Sequence, residues 1–83
     1  MTRQFLKYQT ISCSYYDQLE VYATLGTQCS VIYYADDVEK TSDGIIVDLF
    51  AKEGSEYLNL NNGIVIRLDQ LISINGITVS TLC

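Results

Sequence analysis

In the stretch CSYYDQLEVYATLG, from Cys13 to Gly26, two carboxylates stand three residues apart, Asp17 and Glu20, with Tyr16 beside them. Paired carboxylates can move protons, hold a metal ion, or meet cationic groups on a partner. The rest of the chain offers nothing to the first two uses. Histidine is absent, which removes the commonest general base and the commonest metal ligand. The three cysteines, Cys13, Cys29 and Cys83, are widely spaced and include no CxxC pair. That is neither a zinc pattern nor a disulfide framework, and it predicts three reduced thiols. No nucleophile–base constellation is spaced for catalysis. The expectation is a protein that is not an enzyme and carries no cofactor or metal. What remains for Asp17 and Glu20 is contact with a basic partner.

The element that must position them reads as one short helix. Ser14 is placed to cap its first turn, and Asp17, three residues on, completes a capping box. Gly26 is placed to end it in a left-handed conformation. At about 100° per residue, Tyr15, Leu19, Tyr22 and Ala23 share the face that docks on the protein. Asp17, Glu20 and Thr24 share the opposite face, and Tyr16 sits on the border beside Glu20.

After Gly26 the period changes from 3.6 to 2, and the remainder reads as strands. QCSVIYYA, from Gln28 to Ala35, is rich in β-formers. ADDVEKTSD, from Ala35 to Asp43, reads as a polar connection that includes Asp36, Asp37 and Glu39. GIIVDLFAK alternates so that Ile45, Val47, Leu49 and Ala51 share one face and Ile46, Asp48, Phe50 and Lys52 the other. Glu53 to Ser55 forms a tight turn. Leu58 and Leu60 then point inward, followed by Ile64, Ile66 and Leu68. Asp69 to Leu71 suits one 3₁₀ turn, and Asn75-Gly76 demands a type I′ hairpin into ITVSTL. One helix and five or six short strands fit a single small, strongly bent barrel, mainly β, over residues 1–83.

Composition narrows the partner. Eighty-three residues make one domain with a small core. The net charge is −5, from ten acids and five bases, and nine of the acids precede residue 57. Such a surface repels phosphate, and no basic stripe is present, so direct RNA or DNA binding is disfavoured. The bland account of the same charge is solubility. No apolar run is long enough to span a membrane. The opening MTRQFLKYQT lacks an apolar h-region, which argues against a secretory leader and, with the thiols, for a cytoplasmic protein.

Three collinear segments resemble one family. ISCSYYDQLEVYA resembles the opening of the bacterial Rho-binding antiterminators, the Rof family, where a cysteine and acidic residues precede a Tyr-Asp-x-Leu-Glu run. Cys13, Tyr16, Asp17, Leu19 and Glu20 match it. SEYLNL, from Ser55 to Leu60, is similar to the family's Glu-Tyr-Leu strand. IRLDQLISI, from Ile66 to Ile74, is similar to its Arg-Leu-Asp-x-Ile turn. The resemblance implies an Sm-like barrel with an N-terminal helix. It also implies a function: binding the N-terminal region of transcription termination factor Rho, blocking its primary RNA site and lowering termination. The chain departs from the family where Ser14 and Tyr15 replace two acids, which removes two charges from the expected contact surface.

On this reading the partner-binding residues are Tyr16, Asp17, Glu20, Thr24, Asp36 and Asp37. The partner is Rho, with no direct nucleic acid and no membrane, and the chain is a monomer when free. The alternative is an Sm-like RNA-binding module. Cys13 is expected to be buried as a small hydrophobe, and Arg67 and Asp69 to tie the 3₁₀ turn.

Overall fold

The computed structural model describes residues 11–79. Expectations about the opening segment and the last residues of the final strand lie outside that range. Helix α1 (Cys13–Leu25) is followed by strands β1 (Gln28–Ala35), β2 (Val38–Lys52), β3 (Ser55–Leu60) and β4 (Val65–Arg67). A 3₁₀ turn (Leu68–Gln70) leads into β5 (Leu71–Ile74) and β6 (Ile77–Thr78). All pairings are antiparallel, in the order β4-β3-β2-β1-β5-β6. The chain is therefore mainly β with one N-terminal helix, as the sequence implies.

Helix α1 begins two residues earlier than the Ser14 cap predicts. Ser12 is the N-cap, and its Oγ accepts from the Tyr15 backbone N–H at 3.1 Å. Ile11 precedes the cap, and Tyr16 is the fourth helical residue. Both pack with the core, in the positions of a hydrophobic staple. A buried Ile11 (3% exposed) outweighs the capping-box signature that Ser14 and Asp17 present in sequence. The other end agrees with expectation. Gly26 has φ 66° and its N–H donates to the Ala23 carbonyl, while the Thr27 N–H donates to the Tyr22 carbonyl. These are the two bonds of a Schellman motif.

The long strand β2 corrects two expectations. Val38 to Asp43 is not a connection but the outer half of β2, paired residue for residue with β1. The polar connection shrinks to a two-residue turn at Asp36 and Asp37, with φ 55° and 63°. Polar composition misleads here because the β2 residues Val38 to Asp43 are exposed, Ser42 alone being half-buried, so this stretch has no apolar face to display. Further on, the register with β3 slips between Ile46 and Asp48, which makes Val47 a bulge. The slip reverses the alternation. Ile46 is buried (1% exposed) and Val47 is exposed, so Val47 does not share a face with Leu49 as simple period 2 would have it. Leu49 returns to the core side.

The bulge lets β2 bend and serve two ladders, with β1 along its first half and β3 along its second. One apolar cluster fills the enclosed space. Val31, Tyr33, Leu58, Leu60, Ile66, Leu68 and Ile74 come from strands and turn, and Tyr15 and Leu19 from α1. The 3₁₀ turn starts one residue earlier than predicted because Leu68 is itself a core plug, with no exposed surface. The turn packs against both β1 and β3. Arg67 and Asp69 brace it as predicted: Arg67 Nε and Nη2 donate to the two carboxylate oxygens at 2.7 and 2.6 Å.

Candidate functional site

The core fixes the rotation of α1. Leu19 is fully buried and Tyr15 nearly so, and the Tyr15 hydroxyl donates to the Ile77 carbonyl at 2.7 Å. Tyr22 and Ala23 pack against the same cluster. With these four turned in, Asp17, Glu20 and Thr24 are exposed on the opposite side, as predicted. Val21 and Leu25 join them there, lining one shallow depression of about 460 Å³ with Asp17, Glu20 and Thr24. Sequence reading gave these two no role.

Tyr16 lies half-buried at the border. A second depression beside it is lined by Ile11, Cys13, Tyr16, Asp17 and Glu56. Burial raises the Tyr16 phenol above its ordinary pKa, and the charges of Glu56 and Glu20 raise it further. The barrel thus brings a carboxylate from β3 next to the two on the helix. Period 2 carried the signal for Glu56: it shares a strand face with the inward Leu58 and Leu60, so it points toward whatever covers that face. On the other flank of Glu20 and Thr24, a third depression is lined by Ala23, Val47, Asp48 and Leu49. Among the described residues, no lysine or arginine lines any of these three depressions. Asp17 and Glu20 take no part in the one ion pair of the described residues, Arg67–Asp69.

Asp36 and Asp37 are elsewhere. They form the tip of the β1–β2 arm, and the eight residues of β1, about 25 Å of strand, separate them from the end where α1 joins. The six predicted contact residues therefore form two sites: Tyr16, Asp17, Glu20 and Thr24 on the helix, and the two aspartates on the arm.

The cysteines differ from expectation. Cys13 is exposed rather than buried, and it is disulfide-bonded, which overturns the expectation of three reduced thiols and the support that expectation lent to a cytoplasmic protein. Spacing in sequence reports local motifs, which is why it missed the bridge. Cys29 is the buried free thiol. Its Sγ donates to the Thr27 carbonyl at 3.4 Å, and burial raises its pKa against a lowering contact from the Asn75 side chain.

A cleft of about 430 Å³ on the far flank of α1, lined by Ser12, Ser14, Tyr15, Gln18, Tyr22, Ile74, Ile77 and Thr78, carries no carboxylate. Among the described residues no cluster of His, Cys, Asp or Glu is arranged to hold a metal, and no helix is long and apolar enough to cross a membrane. The chemistry left to the helix face is attraction of cations beside exposed aliphatic surface. No protein-family model, no curated protein and no solved structure matches the chain.

Proposed function

We propose that this chain is a binding module for transcription termination factor Rho, acting as an antiterminator by covering the primary RNA site of Rho's N-terminal domain. The observation that carries the reading is the outer face of α1. Asp17 and Glu20 sit there with Tyr16 at the border and Glu56 alongside, and among the described residues no ion pair uses the two helix carboxylates. A surface that ordinarily receives RNA phosphate is basic, and an acidic face complements it. The three segments that resemble the Rof family support the same reading. They fall on α1, on β3, and on the β4–3₁₀–β5 unit braced by Arg67 and Asp69.

An RNA-binding role has less support. Phe50 and Tyr57 stack on the outer sheet face with ring centroids 5.2 Å apart, but the neighbouring Arg67 is engaged by Asp69. The chain's charge of −5 opposes phosphate throughout. In this reading the module is a monomer and has no catalytic role.

Rho's work on transcripts sets the reading in the bacterial cytoplasm, where thiols are kept reduced. The Cys13 bridge is then open in the cell, and the helix must hold its face without it. Ser12, Gly26, Leu19 and Tyr15 supply that hold. The test is a titration of Rho with this protein, followed by competition with C-rich single-stranded RNA. Mutual exclusion is the expected result. RNA and protein bound to Rho together, without mutual loss, would overturn the occlusion mechanism.

A further inference from the structure

The acids explain attraction to a basic surface but not the aliphatic side chains beside them. Val21 is 46% exposed, Leu25 72% and Val47 57%. A β-branched valine is a mediocre helix former, and a polar residue at an exposed position would serve the fold as well. Val47 is exposed because the bulge turns it out. The three are arranged about the acids. Glu20 and Thr24 line both the depression holding Val21 and Leu25 and the one holding Val47, Asp48 and Leu49. A polar ridge, Glu20 and Thr24, thus separates an aliphatic trough at Val21 and Leu25 from a more polar one in which Val47 stands beside Asp48, with Asp17 at the margin of the first.

We infer that this ridge and its troughs imitate a short single strand of RNA, with carboxylates in the place of phosphates and Val21, Leu25 and Val47 in the place of bases. The inference rests on the Rho reading above and names the chemistry of the surface that receives the face. Sites for single-stranded nucleic acid combine a cationic groove with side chains on which bases stack. The complementary partner is a basic surface bearing exposed aromatic or aliphatic groups, and the aliphatic residues here bury against those groups. Charge complementarity selects this occupant: the troughs contain carboxylates and, among the described residues, no lysine or arginine.

The test compares three proteins in titrations of intact Rho at two salt concentrations. They are the parent, Val21→Ala with Leu25→Ala, and Asp17→Asn with Glu20→Asn. The alanine pair should weaken binding about tenfold to a hundredfold, because buried methyl groups are lost, and leave the salt dependence unchanged. The asparagine pair should flatten the salt dependence. Alanine favours helix, and melting curves check that each variant is folded. Val47→Ser is the further variant that alters the face without touching the helix, and it should also weaken binding. If the parent binds Rho and these aliphatic variants bind equally well, the imitation of bases is wrong while the Rho reading stands. If the parent does not bind Rho, both fall.

Discussion

The helix face and the tip of the β1–β2 arm each carry two acids, but only one pair has a backbone reason to be acidic. Asp36 and Asp37 occupy the two central positions of a hairpin turn at φ 55° and 63°. Such a turn demands left-handed residues and selects Gly, Asn or Asp. Asp17 and Glu20 face no such demand. With Ser12 as the cap, Asp17 is the fifth helical residue, beyond the first turn where the helix dipole favours an acid. Aspartate is also a poor helix former in that position. An acid that the local fold requires is weak evidence of a binding site. An acid that the fold does not require, set on a rigid and well-packed element, is stronger evidence.

The comparison is broken most directly by reversing the helix charges. Asp17→Lys with Glu20→Lys should lower affinity for Rho by more than about a hundredfold, since attraction becomes like-charge repulsion across the interface. Folding should hardly change. Ser12 does the capping, so the cost is that of an exposed substitution, about 0.5 kcal/mol or less. Melting curves and a Rho titration together decide it. A folded double-lysine protein that binds as well as the parent reduces the helix to a lid on the barrel.

Leu19→Ala probes what holds the face in place. The side chain is fully buried between helix and barrel, so its truncation should cost about 2–4 kcal/mol and lower Tm by about 10–25 °C. The two variants should separate cleanly: one folded and inactive, the other destabilised. A Leu19→Ala protein with the parent's Tm would mean that α1 is not docked through this residue.

Alkaline pH tests the same docking without touching the acids. Burial pushes the Tyr15 phenol up to about 12, with Tyr22 and Cys29 adding to the effect. An unfolded tyrosine titrates near 10. The folded state therefore holds its proton longer. The stabilisation is fully present below pH 10 and is lost as pH rises from 10 toward 12, a loss of about 2 kcal/mol. Denaturant unfolding of the parent should show it. Tyr15→Phe should lack this Tyr15 share of the decline, while losing about 1 kcal/mol at neutral pH with the bond to the Ile77 carbonyl. Parallel declines in the two proteins would place the Tyr15 hydroxyl in water.

Reduction should matter less to binding. Opening the Cys13 disulfide leaves the Ser12 cap, the Gly26 Schellman motif and the Leu19 packing intact. Affinity for Rho measured with and without a dithiol reductant should then agree within about threefold, a difference below about 0.7 kcal/mol. A thiol titration in denaturant confirms the redox state of each sample. Binding confined to the oxidised protein would exclude a role in a reducing compartment.

Much of this was legible in the sequence because the signals were local. The inner helix face, Gly26 at the C-terminus, the Asn75-Gly76 hairpin and the inward Leu58 and Leu60 all follow from periodicity or turn chemistry within a few residues. The failures share the opposite property. The Val47 bulge depends on the register of β3, and the outer half of β2 on its pairing with β1. Sequence reading places the cap at Ser14 and not at Ser12 because the buried Ile11 that fixes the helix start reports a tertiary contact. In the site, the exposed acids were readable from one helix. Glu56 was readable only as a position on the inward face of β3; that it meets the helix acids depends on the curl of the barrel.

The arm tip should give the smallest effect of all. Asp36→Asn with Asp37→Asn removes both charges and keeps residues that tolerate left-handed φ, so the turn should keep its shape and the Tm should stay within a few degrees. With about 25 Å of strand between tip and helix, the lost charges act on a partner at the helix from well beyond the Debye length of about 8 Å at physiological salt. Affinity should fall by no more than about threefold, mostly through slower association at low salt. Stopped-flow association and equilibrium titration of Rho, each at low and physiological salt, separate steering from contact. A loss at physiological salt as large as that of the double-lysine helix variant would place the arm against the partner as well. The acidic turn would then have a binding role in addition to its backbone role.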